Sequence, residues 1–373
     1  MTRPGPATPA LLHYYRGRVA LHAILRGLGV RAGDEVVLAA YTCAAVVEPL
    51  RRLGVRPVYL DIDRRTCTMD LSLLPAALTG RTRAVVVQHT FGAPVDLKRA
   101  LAITEPAGVP IVEDCAHVTS GPARESLGTA GVAAFFSYEW GKPVVAGVGG
   151  LAVVNDAELA ARMRAQYAIF TAPPPRREVV MSAQYLAHRA AAGTGLLWRL
   201  RPLYRRLAGR GLIVGSYADE PDTSPEYGWR MSRTVRNRLP ARIRGAQAAL
   251  DRRRRLADRY RTALADLGLA LPDAPEAPAG PVPLRIPLAV RAKARVLREA
   301  AAAGVDLGDW FTTPVHPFAG AGLAAVSYRP GSCPQAEWAA EHVVTLPVRA
   351  GTRPAAAEGA LRLLARLQAR GDA

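Results

Sequence analysis

Short apolar runs alternate with amphipathic stretches through the first 155 residues. Glu35 to Ala40, residues 57 to 61, the VVVQHTFG run and Ile111-Val112-Glu113-Asp114 are apolar without alternation, the pattern of strands covered on both faces. Residues 17 to 30, GRVALHAILRGLGV, place Leu21, Ile24, Leu25 and Leu28 on one helical face and end in a glycine-containing turn. Residues 44 to 54 read as another helix. Strand, helix, strand, helix in this order predicts an α/β fold, a parallel sheet with helices on both faces. Beyond Asp156 the rhythm changes. In DRRRRLADRYRTAL, Leu256, Tyr260 and Leu264 recur every four residues and mark a long helix. The proline-rich LPDAPEAPAGPVP separates it from RIPLAV, a strand opening a smaller lobe, and ARVLREAAAAGV and PAAAEGALRLLARLQAR read as helices. The expected division is a large domain, 1–235, with an insert at about 161–228, then a long connecting helix and small C-terminal domain, 236–373.

Composition changes this picture in one stretch. The 373 residues carry a formal net charge of +18, and from 161 to 261 there are 22 arginines, no lysine and 7 acidic residues. Within it YLAHRAAAGTGLLWRLRPLYRRLAGRGLIVG mixes leucine, tryptophan and tyrosine with arginine. A helix on anionic lipid head groups, a subunit contact, a lid over a diphosphate-bearing substrate and a plain solvated face all fit. No nucleic-acid motif accompanies the charge, so nucleic acid is not expected as a partner. No apolar run reaches the roughly eighteen residues of a membrane span. The N-terminus lacks the apolar core of a signal peptide. Cys43, Cys67, Cys115 and Cys333 show no CxxC spacing and read as reduced thiols. A cytoplasmic location is expected, with peripheral membrane contact through the insert as a second reading.

The candidate chemistry lies between Ile111 and Asp156. Of 49 Lys plus Arg, only Lys98, Lys142 and Lys293 are lysines. Arginine keeps its proton, whereas a lysine amine can lose it and attack a carbonyl. Lys98 and Lys293 stand in helix-like text and are expected on the solvated surface. Lys142 stands in SYEWGKPVVAGVGG, where helix does not continue. A loop lysine there suits a Schiff base to pyridoxal phosphate (PLP), and a surface lysine is the plain alternative. Asp114 ends a buried strand, where an acid can hold the PLP ring nitrogen protonated. His117 follows three residues on, and Ser137 can reach the cofactor phosphate. Alone, Asp114 is equally a helix cap and Ser137 a turn hydroxyl; the ordered set of acid, serine and lysine carries the argument.

EDCAH, FSYEWGK and GVGGLAVVND, in this order, resemble the DegT-type sugar aminotransferase family. That family reads roughly E-D-x-A-Q/H, F-S-x-x-x-x-K and G-x-G-G-x-x-x-x-N/D. GDEVVLAAYTCAAVV, VRPVYLDIDRRTCTMD, VVVQHTFGAPVDL and SCPQAEWAAEHVVTLPV match in order too, so the likeness runs from about Arg16 to the C-terminus, less the centre of the insert. The resemblance implies fold type I of the PLP enzymes: a large, mostly parallel sheet domain of the seven-stranded type and a smaller C-terminal α/β domain. It implies a homodimeric aminotransferase moving nitrogen from a small-molecule donor, glutamate by analogy, to a keto acceptor on a nucleotide-linked sugar. In that scheme Lys142 holds PLP and shuttles a proton, Asp114 faces the ring nitrogen, His117 supports the ring oxygen and Ser137 holds the phosphate.

Other positions depart from the family pattern. Gly17 and Arg18 open a helix whose N–H groups can hold phosphate, with Arg18 supplying charge where relatives often have threonine. Cys43 stands where relatives place an aromatic ring over the cofactor. Tyr41 is an alternative, but the strand period points it to the opposite face, so the stacking residue stays open. His89, Tyr41 and, in WFTTPVHPF, His316 are candidate substrate contacts, the two histidines each with a structural alternative. Gly228 replaces an asparagine that in relatives reaches the partner's phosphate, with Arg230 as candidate substitute. The family's N-terminal helix and the strand after it are expected to be largely missing. Lys142 argues against the sugar-dehydrating relatives, which often carry histidine there. A PLP enzyme acting on a non-sugar carbonyl shares every motif. A membrane-docked or regulatory protein with a relic site is kept open by Arg18, Cys43 and Gly228.

Overall fold

The computed structural model describes residues 8–119, 127–191, 206, 224–271 and 281–373. In chain order its strands are β1 (Ala10–Tyr14), β2 (Glu35–Ala39), β3 (Thr42–Cys43), β4 (Arg56–Leu60), β5 (Ile62–Asp63), β6 (Thr68–Met69), β7 (Thr82–Gln88), β8 (Ile111–Asp114), β9 (Ala133–Ser137), β10 (Gly150–Val154), β11 (Arg285–Ala289), β12 (Val315–His316) and β13 (Val343–Pro347). Seven of them form one sheet in the order β1-β10-β9-β8-β7-β2-β4. β4, β2, β7, β8 and β9 pair in parallel, and β10 pairs antiparallel with both β9 and β1, so β10 alone runs against the rest. β2 and β8 are buried along their whole length, which is why their text is apolar without alternation. The mostly parallel seven-stranded sheet expected from the sequence is present. ALLHY forms β1 at the sheet edge, with Leu11 55% exposed.

The first helix, Gly17–Gly27, is buried at every position except Arg26. It lies so close to the sheet that two glycines are dictated by contact. A Cβ on Gly17 would stand 3.2 Å from the Ser137 Cβ, and one on Gly150 would stand 2.1 Å from the Arg16 carbonyl oxygen. The start of this helix is thereby pressed against the end of β9 and the start of β10.

The C-terminal half serves two cores. Ala257, Tyr260, Leu288, Val296, Val344 and Leu364 belong to a separate core around the antiparallel pair β11–β13 and the helices Leu250–Asp266, Lys293–Ala302 and Pro354–Ala369. Phe311, Val315, Val326, Cys333 and Ala336 instead join the core of the large sheet. β12 pairs in parallel with β3, which sets His316 opposite Cys43. The chain thus returns to the large domain just where the strands of the sheet end.

Two surface expectations need correction. Lys98 is exposed as expected, but Lys293 is buried, its Nζ donating to the carbonyls of Phe311 (3.0 Å) and Ala340 (2.7 Å). Within the arginine run, Arg253 is buried too and donates to Val348 O, Pro283 O and the Thr119 hydroxyl. A helical pattern shows which face is apolar, but not which polar end finds an internal acceptor. Among the described residues no helix is long and apolar enough to cross a membrane. Residues 192–205 and 207–223, on which the membrane and lid readings chiefly rest, lie outside the described residues.

Gly150→Ala should lower stability by about 3 kcal/mol, read from the denaturant midpoint, because the clash is with backbone. Burial pushes the Lys293 ammonium down to about 8 from 10.5, against the opposing charge of Asp309. Below pH 8 both the folded and unfolded chains hold this proton and the full burial cost is present. From pH 8 to 10.5 the unfolded chain binds more proton, so stability should rise with pH, by at most about 3 kcal/mol. Denaturation of Lys293→Met across the same pH range should lack that rise.

Candidate active site at the carboxyl edge of the sheet

Parallel strands β7, β8 and β9 end side by side, with Gln88 paired to Asp114 and Asp114 to Phe135. Asp114 is 3% exposed. One of its oxygens accepts the Ala116 N–H at 2.9 Å, and the other takes no hydrogen bond among the described residues. Burial pushes the carboxyl up, opposed by the Ala116 N–H and by Lys142. Such a carboxylate calls for a cationic N–H partner.

The neighbouring acid points the other way, as the strand period requires. Glu113 is fully buried and accepts the N–H groups of Gly128 (2.7 Å), Ala130 (2.9 Å) and Gly131 (2.8 Å). His89 Nε2 lies 3.2 Å from the same carboxylate, and His89 Nδ1 accepts the Val95 N–H. Burial works against the Glu113 charge, but the hydrogen bonds from His89 and these backbone groups hold its carboxyl below the usual range. The donor atoms of His89, Glu113 and Cys115 lie within 4.8 Å of one another. Those of His89 and Glu113 are already committed to protein groups, so this is a satisfied internal network. The expectation that His89 contacts substrate therefore fails: the ring is fully buried and both nitrogens are engaged.

His117 faces the Asp114 side. Its Nδ1 accepts the Phe91 N–H at 3.1 Å, which leaves the proton on Nε2. Burial, with Lys142 and Arg285, pushes this imidazole far below the usual range, so it is neutral and Nε2–H is a donor. The ring lies parallel to those of Phe91 (6.2 Å between centroids, 3°) and Trp310 (5.6 Å, 16°).

Lys142 stands in the turn after β9, its N–H donating to Glu139 O and its predecessor Gly141 at φ 81°. Nζ makes no hydrogen bond or ion pair among the described residues and sits 5.3 Å from the centre of the Trp310 ring. Its charge acts on Asp114, His117 and Cys43, and it shares the Trp310 ring with His117. The turn is anchored from outside. Glu139 pairs with the buried Arg16 at 2.8 Å, and Arg16 also holds Glu226 at 2.5 Å.

Ser137, at the end of β9, is half-buried and its hydroxyl has no protein partner among the described residues. Gly17 packs against it, and no side chain caps the helix that Gly17 opens. Arg18 is buried beside them in an ion pair with Glu48. Its charge is therefore already balanced, contrary to the expectation that it brings unpaired positive charge to a phosphate. No local pattern marks Glu48 as its partner, 30 residues away.

The remaining candidates divide. Cys43 is half-buried, its sulfur accepting the Ala45 N–H at 3.3 Å at the start of a helix; burial pushes the thiol up, with Lys142 opposing. His316 is half-buried, with Nδ1 2.8 Å from the Thr312 hydroxyl. Tyr41 is fully buried, its hydroxyl donating to Trp310 O (3.1 Å) and accepting from Phe311 N (3.2 Å). It cannot touch a substrate, so that expectation is corrected. Arg230 is bound to the carbonyls of Tyr167 and Ala168 and stacks on Tyr167, which removes it as a phosphate contact within this chain. Trp310 is the residue that sequence reasoning missed. Its only signal is its place in WFTTPVHPF, six residues before His316.

The uncommitted groups form a set: Lys142 Nζ, one Asp114 oxygen, His117 Nε2–H and the Ser137 hydroxyl beside an uncapped helix start. This donor set fits a flat, cationic heteroaromatic ring bearing a phosphate.

The chain matches the model of the DegT/DnrJ/EryC1/StrS aminotransferase family over residues 14–185 and 219–362. Among solved structures it is similar to DesV of S. venezuelae, in complex with a ketimine intermediate, with a TM-score of 0.70 and 25% identity over 97% of this chain and 85% of that one. It is similar to DesI, solved in the presence of its TDP-sugar product, with a TM-score of 0.70 and 23% identity over 97% and 81% of the two chains. It is also similar to a protein of Streptococcus pneumoniae in its PLP-form, with a TM-score of 0.74 and 18% identity over 98% and 88%. With the family match spanning most of its length and the fold agreeing along it, the chain belongs to the DegT/DnrJ/EryC1/StrS aminotransferase family.

Proposed function

We propose that this aminotransferase transfers an amino group from glutamate to the keto group of a nucleotide-linked sugar, as a homodimer. Its cofactor is pyridoxal 5'-phosphate, as in its family. The observation that carries the reading is the grouping of Lys142, Asp114 and His117, each with a polar atom left unpaired among the described residues. The TDP-sugar product of DesI supports the acceptor class.

When bound, PLP supplies an aldehyde that binds amines and a pyridine ring that withdraws electrons from the carbon next to the nitrogen. Asp114 would take the ring N–H on its uncommitted oxygen and keep that ring cationic. His117 would donate Nε2–H to the ring oxygen. Ser137 and the backbone N–H groups at the start of the Gly17–Gly27 helix would hold the phosphate. Lys142 would hold the cofactor covalently and, once displaced by the donor's amine, take a proton from the donor's α-carbon and return it on the cofactor side. With no ion-pair partner among the described residues, the amine is available for both tasks.

Borohydride reduction of the protein with PLP, followed by peptide mapping, should place the label on Lys142. Lys142→Ala should take no label and lose turnover by at least about a thousandfold. Asp114→Asn should still accept label at Lys142 but lose at least about a hundredfold in turnover, because the ring nitrogen loses its anionic partner. Formation of 2-oxoglutarate from glutamate with a panel of nucleotide-linked keto sugars tests the substrates. Turnover with simple ketones or aldehydes and none with sugars would replace the acceptor class.

A further inference from the structure

The Trp310–Phe311 segment is held from behind by groups that the chemistry above does not use. Tyr41 binds both Trp310 O and Phe311 N, and Lys293 binds Phe311 O together with Ala340 O. Both anchors are buried, Tyr41 at 0% exposure and Lys293 at 9%. The clamp draws on three places: the end of β2, the helix Lys293–Ala302, and the helix Pro334–His342 that carries Ala340. Phe311 packs inward, edge-on to Tyr41 at 5.2 Å. Trp310 is left facing the pocket, half-buried, parallel to His117 and 5.3 Å from Lys142 Nζ. Its ring lies against the backbone of Gly141, where a Cβ would stand 3.5 Å from it.

We infer that Trp310 is the aromatic wall of the cofactor pocket and that Lys293 and Tyr41 are positioning residues that hold it there. The inference rests on the PLP reading. An indole offers a broad flat face to a planar ring, whereas the Cys43 thiol offers little area. The lysine is chemically apt at position 293. Among the described residues two carbonyl oxygens meet it, and a compact ammonium on a flexible stem can satisfy both. A guanidinium would bring five donors in a rigid fork to the same two acceptors and leave most of them buried without partners. This explains a lysine here in a chain that otherwise relies on arginine, with three lysines among 49 Lys plus Arg.

The test uses the full chain reconstituted with PLP. Trp310→Leu should weaken PLP binding about tenfold by equilibrium dialysis, and Trp310→Phe should keep it within about threefold. Lys293→Met and Tyr41→Phe should each weaken it severalfold. Combining either with Trp310→Leu should add nothing, because a wall already removed cannot be displaced again. Cofactor emission on tryptophan excitation should fall in Trp310→Phe and in Lys293→Met. If Lys293→Met does not fold, Tyr41→Phe, which keeps the ring volume, decides the positioning role. With wild type labelled at Lys142, unchanged affinity in Trp310→Leu overturns the inference and leaves the cofactor reading standing. Additive losses in the double variants overturn the positioning role. A wild type that takes no label at Lys142 overturns the reading and the inference together.

Discussion

The site depends on a carboxylate that the fold takes out of water and only half satisfies. Desolvating Asp114 costs free energy, and one backbone N–H offsets only part of it. The rest must come from a cation, and Lys142 is one whose field reaches it. A buried acid and a nearby lysine that do not form a direct ion pair are poised for a third group between them. A cationic ring nitrogen on one side and an aldehyde on the other match that gap. The aminotransferase chemistry of the family gives it a use.

Strand β8 makes the arrangement possible by dividing two adjacent acids between two faces. Glu113 satisfies the 128–131 turn and His89, and so stabilises the strand from its far side. Asp114 is thereby free of structural duty. Exchange of the two faces by a one-residue slip would bury the chemical acid in the network and leave the structural one in the pocket. The same division explains why His89, at the end of β7, is a structural group although it lies close in sequence to the site.

The C-terminal half completes the pocket by returning to the large sheet. β12 lies on β3, and Trp310 enters above Lys142 and His117. This contact joins two cores: Lys293 opens a helix that packs in the smaller one and Tyr41 lies in the larger.

Much was determined by the sequence by itself. Period and punctuation set the parallel sheet, the order of its elements and the strand-end placing of Asp114, because these are local properties of short segments. Scarcity of lysine drew attention to Lys142. The burial of Lys293 and Arg253, the pairing of Arg18 with Glu48, and the structural roles of Tyr41 and His89 were decided only by the tertiary structure. Each depends on a partner distant in the chain: Glu48 lies 30 residues from Arg18, and Trp310 lies 269 from Tyr41. A residue type announces what chemistry it can do. Whether its polar atoms are already engaged is a property of what the fold brings beside it, and no local pattern carries that information.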